Sequence, residues 1–265
     1  MGYATGVTLP YFLRKDGTVG PLAFAHRGFS LHGMENSMAA FGAAVELGTL
    51  HLETDVHTTS DGVLLVFHDA SLDRVTDSTG RIAELTAAEV AKARIGGVEP
   101  VPTFDDLVAA FPDARLNLDV KDWNSVISTA EAIEKHSIHG RVLVTSFSDR
   151  RRRAVLKLLS QRTASSAGTT LTALFVLLGP ALPAGLARKV LTGVDAFQVP
   201  ARYGPFPVVT AGFVRRAHRV GVQVHVWTIN DSAEMERTLD LGVDGIVSDR
   251  LDLLKEVLVR RGQWV

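Results

Sequence analysis

The sequence predicts an α/β fold, and within that class a (β/α)8 TIM barrel with a small insertion after the second strand. Short apolar runs alternate about eight times with segments of helical spacing, a pattern typical of a parallel sheet. The chain has 265 residues, and a length of roughly 250 is usual when eight such units close into a barrel. Several apolar runs end in charged or titratable residues, as expected where a barrel places its site at the carboxyl ends of its strands.

The composition is that of a globular domain, and it excludes several classes of function. Lysine and arginine number 28 against 29 aspartates and glutamates, so the net charge of -1 gives no support to a nucleic-acid partner. The chain has 0 cysteines, which excludes disulfides and thiolate chemistry. No linker interrupts it, so we expect a single barrel domain over residues 1–265, with the insertion at about residues 57–100. The sequence does not indicate the oligomeric state.

Two segments bear on membrane contact and cellular location. Residues 1–20 lack the apolar run of a signal peptide, so we expect a cytoplasmic protein. Residues 171–187 carry no charge, but glycines and prolines interrupt them and they fall short of the ~20 residues that a transmembrane helix needs. We therefore expect no transmembrane segment, and a buried strand, loop and helix there rather than membrane contact.

The first strand–helix unit is the clearest in the sequence. Residues 22–25 are apolar, and His26 and Arg27 follow them at once. Apolar side chains then recur at helical spacing through residues 37–47. Asn36 precedes that run and is a suitable N-terminal cap for the predicted helix.

The second strand is predicted to end at about Val56, after which the simple alternation of strand and helix is interrupted. Residues 57–100 contain a short strand ending at His68, polar turns, and a capped helix near residues 85–90. We interpret this segment as an insertion on the barrel.

The rest of the chain predicts six further strands and the helices between them. Apolar residues alternate with Asn117, Asp119 and Lys121, the pattern of a strand with one polar face. The helix at residues 150–159 opens with four arginines, which we expect to be solvated. The expected strands are residues 115–121, 142–147, 170–178, 194–199, 222–229 and 245–248, and the expected helices are residues 103–111, 125–136, 150–159, one ending at about residue 191, 211–219, 232–241 and 251–260.

Three carboxylates and a lysine are predicted to meet at the carboxyl end of the barrel. Residues two apart in a strand share a face, so Glu53 points with Asp55, and Asp119 points with Lys121. Oxygen ligands alone select one hard divalent cation, Mg²⁺ or Ca²⁺. An alternative is that Glu53 and Asp55 are ordinary surface charges, but their position inside an apolar strand argues against it.

Two histidines and two cations complete the candidate site. His26 and His68 each end a strand-like run. A lone histidine is more often structural, whereas two of them beside a carboxylate cluster favour an acid/base pair. Arg27 and Lys121 suit an anionic group, because arginine binds phosphate in a bidentate way and lysine acts as a point charge.

Six short motifs occur over about residues 23–254, and they are His26-Arg27-Gly28, Glu35-Asn36, Glu53-x-Asp55, His68-Asp69, Asp119-x-Lys121 and Trp227-Thr228-x-Asn230. In their order and spacing they resemble the glycerophosphodiester phosphodiesterases. The resemblance implies a barrel with a small insertion after the second strand. It also implies hydrolysis of a small-molecule glycerophosphodiester to glycerol 3-phosphate and an alcohol, with a divalent metal ion.

The resemblance also implies a role for each matched residue. The acid/base pair is then His26 and His68, and the substrate contacts are Arg27, Lys121 and Trp227. The metal ligands are Glu53, Asp55 and Asp119, with Glu35 at the metal or its waters.

Four positions remain open or depart from the family pattern. The third metal ligand is commonly glutamate in this family, and Asp119 is one methylene shorter. Trp227 is interpreted equally well as a residue of the barrel core. Gln198 is a weaker site candidate, and we expect Asp249 to cap the last helix rather than to join the site.

Two other functions are compatible with the same residues. Related barrels act on lysophospholipids or phosphoinositides, and the apolar residues 171–191 could form a rim for such a lipid. A non-catalytic phosphodiester-binding barrel is the third possibility, although a binder has no use for two titrating histidines beside a metal.

Overall fold

Eight parallel strands form the barrel, and strands adjacent in the chain are neighbours in the sheet. A computed structural model describes residues 9–265. β1 pairs with both β2 and β8, and a parallel bridge between Ser166 and Ala196 links β5 to β6. The sheet therefore nearly closes, and the predicted fold class is confirmed. The strands are β1 (Leu22–His26), β2 (His51–Thr58), β3 (Arg115–Val120), β4 (Val142–Thr145), β5 (Ala164–Ser165), β6 (Ala196–Pro200), β7 (Gln223–Trp227) and β8 (Gly245–Ser248).

The helices follow from local capping as much as from apolar spacing. The Ser37 hydroxyl accepts a hydrogen bond from the Ala40 amide and begins α1, while Gly48, with φ of 105°, ends it. The prediction that Asn36 caps this helix is wrong by one residue. The helices are α1 (Met38–Leu47), α2 (Ala87–Val90), α3 (Phe104–Ala110), α4 (Ser125–Lys135), α5 (Asp149–Leu158), α6 (Thr169–Leu178), α7 (Ala184–Val190), α8 (Ala211–Arg219), α9 (Ser232–Asp240) and α10 (Leu251–Arg260).

The insertion lies between β2 and α3 and has a small core of its own. Its strand Leu64–Val66 pairs antiparallel with the end of β2, and Arg94–Ile95 pairs with Glu99–Pro100. This core is built from Leu65, Phe67, Leu72, Ile82, Val90, Ala93, Ile95 and Val101. The prediction of one domain over residues 1–265 stays a prediction, because residues 1–8 lie outside the described part of the chain.

The predicted strand at residues 170–178 is wrong, because these residues form α6. The run is almost uniformly apolar, so its periodicity does not separate a strand from a helix. In the fold, Leu171 and Phe175 are four residues apart and buried, as helical spacing requires. The fifth strand is only Ala164–Ser165. Within residues 9–265 no helix combines the length and apolar character that crossing a membrane requires.

The arginine run at the start of α5 is only partly solvated. Arg150 and Arg153 are exposed, but Arg152 is fully buried. Its guanidinium donates to the Ser165 hydroxyl at 2.8 Å and to the Gly193 carbonyl at 3.2 Å. The prediction of a solvated face is therefore wrong for Arg152, which ties α5 to the end of β5.

Aromatic side chains fill the barrel at the amino ends of its strands. The Phe24 ring lies 5.0 Å from the His51 ring and 4.7 Å from the His225 ring, centroid to centroid. Tyr11 and Phe12 pack in the same cluster. Burial lowers the pKa of His51 to about 3 and that of His225 to about 4, so both are neutral core residues. The opposite end, where the strands finish, is left for the site.

Candidate active site

The strand register brings the predicted residues together in one cleft at the carboxyl ends of the strands. His26 lies beside Glu53 across β1 and β2, and Asp55 lies beside Asp119 across β2 and β3. The cleft has a volume of about 710 Å³. The predicted site residues that line it are His26, Arg27, Glu53, Asp55, His68, Asp119, Lys121 and Trp227.

Two cations are interleaved with the three carboxylates. The Lys121 ammonium lies 2.7 Å from Asp55 Oδ1 and 2.7 Å from Asp119 Oδ2. Arg27 Nε lies 3.3 Å from Asp55 Oδ2, and the Arg27 backbone amide donates to Glu53 Oε2 at 3.2 Å. Burial, with the neighbouring Asp55 charge, raises the pKa of Glu53 to about 7. Burial also raises the pKa of Asp119 above its ordinary value.

The donor chemistry of this cluster suits a hard divalent cation. Glu53, Asp55 and Asp119 offer only oxygen ligands, and Asp119 Oδ1 is buried without a hydrogen-bond partner. Asn117 Oδ1, on the same face of β3, is also buried and unpartnered. The Lys121 ammonium lies between the Asp55 and Asp119 carboxylates and sets the distance between them. Within residues 9–265, no three His, Asp or Glu side chains are grouped closely enough to hold a metal ion as they stand.

His26 is supported by Asp249, which the sequence analysis assigned to the wrong role. His26 Nδ1 lies 2.5 Å from Asp249 Oδ1, and Asn230 Nδ2 donates to Asp249 Oδ2 at 2.7 Å. Arg250, not Asp249, occupies the cap position of α10, and no side chain there bonds to the helix. Burial opposes protonation of His26, but the hydrogen bond to Asp249 and the charge of Glu53 outweigh it, so the pKa of His26 is raised. Asn230 could have indicated the role of Asp249 from the sequence, because it lies in the Trp-Thr-x-Asn motif and donates a hydrogen bond to Asp249.

His68 is supported by the next residue in the chain. Its Nδ1 lies 2.6 Å from Asp69 Oδ1, and Arg74 Nε donates to Asp69 Oδ2 at 2.5 Å. Arg74 also donates to Glu35 Oε1 at 2.6 Å, and the Arg27 guanidinium donates to the same oxygen at 2.9 Å. The hydrogen bond from Arg74 lowers the pKa of Asp69 to about 2. Glu35 does not line the cleft among the described residues, and it links the two arginines.

His57 and Asp122 hold the backbone at His68. His57 Nε2 lies 3.1 Å from the His68 carbonyl oxygen, and His57 Nδ1 lies 2.6 Å from Asp122 Oδ2. His57 itself is buried. No sequence pattern marks His57, Asp122 or Arg74, because each contacts a neighbour of the cleft residues rather than facing the cleft.

The loop after β1 has a strained backbone that aims Arg27 at the carboxylates. Arg27 has φ of 56° and Asn36 has φ of 57°, a region that side-chain-bearing residues seldom adopt. Between them Gly28 has φ of 83°, and a Cβ there would lie 2.7 Å from the Ala40 carbonyl carbon. Glycine is therefore required for this loop to pack on α1.

The wall opposite the carboxylates is apolar. It includes Val176 and Leu177 of α6, and Tyr203 and Phe206 of a hairpin in which Arg202–Tyr203 pairs with Phe206–Pro207. Trp227 completes it and packs edge-on against another cleft residue, Phe147, at 6.0 Å between ring centroids. Gln198 also lines the cleft and contacts His225 Nδ1 at 3.3 Å.

Comparisons with known proteins show the family and the fold of this chain. The model of the glycerophosphoryl diester phosphodiesterase family matches residues 26–253. A probable glycerophosphodiester phosphodiesterase 2 from Mycobacterium tuberculosis is 42% identical over 254 residues, which cover 96% of this chain and 95% of the relative. Lysophospholipase D GDPD1 from Rattus norvegicus is 25% identical over 88% of this chain and 85% of its own length. A solved Oleispira antarctica phosphodiesterase, in complex with the product sn-glycerol-3-phosphate, superposes with a TM-score of 0.74 at 23% identity, over 91% of this chain and 97% of that one.

Proposed function

The chain belongs to the glycerophosphoryl diester phosphodiesterase family, and from this membership we propose how its residues act. It is a phosphoric diester hydrolase that converts glycerophosphodiesters to glycerol 3-phosphate and an alcohol. The observation that carries the proposal for the residues is the pair of histidines, His26 and His68, in one cleft. Each turns one ring nitrogen to its own aspartate.

We assign proton transfer to these two histidines. A carboxylate at Nδ1 orients the ring and leaves Nε2 as the nitrogen that serves the substrate. One histidine takes a proton from the nucleophile, and the other gives a proton to the leaving alkoxide. The raised pKa of His26 favours this residue as the proton donor, because it keeps more of its proton near neutral pH.

The phosphate binds between Arg27 and Lys121 in this proposal. Both cations line the cleft beside the carboxylates, so they neutralise the non-bridging oxygens as negative charge builds on them. Glu35 is engaged by two arginines, which favours a supporting role in orienting Arg27 over direct metal ligation. Trp227 and Phe147 contact the part of the substrate beyond the phosphate.

The residues that would hold the metal ion are Glu53, Asp55 and Asp119. When bound, a divalent cation such as Mg²⁺ or Ca²⁺ supplies positive charge to a phosphate oxygen. Lys121 must then release one of its two carboxylates, which frees it to contact the substrate. We favour Mg²⁺, with Asp119 bound directly or through one water.

Product analysis tests the proposal. Purified protein is incubated with glycerophosphocholine, glycerophosphoethanolamine and glycerophosphoglycerol, with Mg²⁺ or Ca²⁺ and with a chelator. We expect glycerol 3-phosphate and the free alcohol from at least one diester, and no product from the variant His26→Ala/His68→Ala. Saturable binding of a diester without turnover at any metal concentration would instead indicate a binding protein.

A second candidate substrate is a lysophospholipid, favoured by the apolar wall of the cleft. Val176, Leu177 and Phe206 offer no hydrogen bond to a polar headgroup, but they suit a single aliphatic chain. Comparison of kcat/KM for lysophosphatidylcholine and glycerophosphocholine decides between them. The predicted cytoplasmic location stays a prediction.

A further inference from the structure

Exposed apolar side chains lie on the cleft wall and on the adjoining face of α6, and we call them the apolar rim. Three belong to α6 and two to the hairpin at residues 202–207. Their side chains stand in solvent, although large apolar groups usually avoid it. The rim residues are Leu174 (41% exposed), Leu177 (75%), Leu178 (53%), Tyr203 (78%) and Phe206 (71%).

The apolar rim is held in place rather than free to fold inward. Phe175, which lies on the opposite side of α6 from Leu177, stacks on Phe197 at 4.6 Å and meets Phe213 at 5.6 Å between ring centroids. That anchoring turns Leu177 outward, and Leu174, one turn before it, is exposed beside it. Leu177 is both exposed and part of the cleft wall, so the rim continues into the cleft.

The segments that build the rim lack negative charge. Residues 163–187 and 196–210 contain no aspartate or glutamate, although the chain has 29 of them. Their single charged residue is Arg202, which is exposed on the hairpin beside Tyr203. An anionic surface is therefore attracted by the rim and meets no repulsion from it.

We propose that the apolar rim docks on a lipid surface, with the mouth of the cleft turned toward the membrane. The proposal rests on the phosphodiester site assigned above. Leucine, tyrosine and phenylalanine side chains enter the boundary between headgroups and acyl chains, while Arg202 contacts anionic headgroups. A phosphodiester leaving such a surface reaches Arg27 and Lys121 along the apolar wall. A water-soluble diester has no apolar chain that could contact the rim, so the rim suits a lipid instead.

Vesicle flotation tests docking without any assay of turnover. The full chain is mixed with vesicles of phosphatidylcholine, with and without phosphatidylglycerol, and the floating fraction is measured. We expect binding that strengthens with phosphatidylglycerol. The variant Leu174→Glu/Leu178→Glu changes rim residues outside the cleft wall, so it should lose roughly tenfold or more in vesicle affinity while hydrolysing glycerophosphocholine normally.

A control places one new glutamate far from the rim. Val259→Glu changes an exposed residue (55%) at the end of α10, toward the amino ends of the strands, and should float like the wild type. A second rim variant, Tyr203→Ser/Phe206→Ser, should also lose flotation if it folds, as checked by circular dichroism.

Three results would overturn the proposal. They are absence of flotation with every vesicle, flotation that the rim variants leave unchanged, and a concentration-dependent dimer that the rim variants dissociate. The dimer would assign the rim to a second copy of the chain. Failure of the proposed function gives a different result. A protein that floats with vesicles but hydrolyses no diester would support the docking surface and contradict only the proposed catalytic function.

Discussion

Each of the two cleft histidines has an aspartate behind it, but the two aspartates come from different parts of the chain. Asp69 follows His68 directly, whereas Asp249 reaches His26 from the end of β8. Support of this kind fixes which ring nitrogen faces the substrate and stabilises the charged ring. The proposed mechanism therefore depends on four residues, of which the sequence analysis assigned only the histidines to catalysis.

Removal of either histidine should abolish most of the activity. We expect His26→Ala and His68→Ala each to lower turnover by roughly 10²–10⁴-fold, the range for a positioned acid or base. Circular dichroism should show native folding, because both side chains face the cleft. His32→Ala, which changes an exposed histidine, is the control and should turn over normally. Near-normal turnover in either cleft variant would remove that histidine from the mechanism.

Asp249→Asn should move one limb of the pH–rate profile to lower pH. The Asp249 carboxylate favours the protonated form of His26 and so raises its pKa. The neutral amide removes that support, so His26 loses its proton at a lower pH than before. The measurement is kcat/KM from acid to alkaline pH in the variant and the wild type, with Asp240→Asn as an exposed control. Two unmoved limbs would show that His26 does not set the profile.

The sequence predicted the residues that face the cleft better than those behind them. Glu53, Asp55 and Asp119 stand out because charge interrupts apolar strands. Asp249 does not, because an aspartate before a helix is an ordinary cap. Its contact with His26 joins residues 223 positions apart, and only the closed barrel brings them together.

At the scale of elements, α5 depends on a buried arginine. Arg152→Ala should lower the free energy of unfolding by roughly 3 kcal/mol, because the substitution leaves Ser165, Gly193 and Asp149 without their shared partner. Arg153→Ala, one residue along and exposed, should change it by less than about 0.5 kcal/mol. Urea unfolding of both variants measures the difference. Equal effects would show that the buried contacts contribute nothing measurable.

The same elements show where prediction from sequence ends. A strand with one polar face, such as β3, is identified by alternation alone. The region of β5 and α6 is not, because β5 has two residues and α6 is apolar on nearly every face. The tertiary contacts of Phe175 with Phe197 and Phe213 decide which face of that helix is buried, and they span 38 residues of chain.

At the scale of the whole molecule, metal binding should be coupled to stability. A cation held by Glu53, Asp55 and Asp119 binds the folded barrel and not the unfolded chain, because these residues come from two separate strands. At a hundredfold excess over Kd the gain is about 2.7 kcal/mol. Differential scanning calorimetry of a chelated preparation, with and without Mg²⁺ or Ca²⁺, should show a higher melting temperature with metal and a parallel return of activity.

Variants locate that effect on the proposed ligands. Glu53→Gln/Asp55→Asn should abolish the metal-induced rise in melting temperature, while Asp240→Asn should keep it. Asp119→Glu should keep most activity, and Asp119→Ala should weaken metal activation more than substrate affinity. If a metal-free preparation retains its full rate and the same melting temperature, the three carboxylates are structural.

The two unlike walls of the cleft come from different parts of the polypeptide. The charged wall comes mainly from residues 26–121, closed by Asp249, and the apolar wall mainly from residues 169–208. Under the proposed assignment, substitutions in the second stretch change the apolar wall and leave the proposed catalytic residues unchanged. A change of substrate preference therefore needs no rebuilding of the proposed catalytic residues.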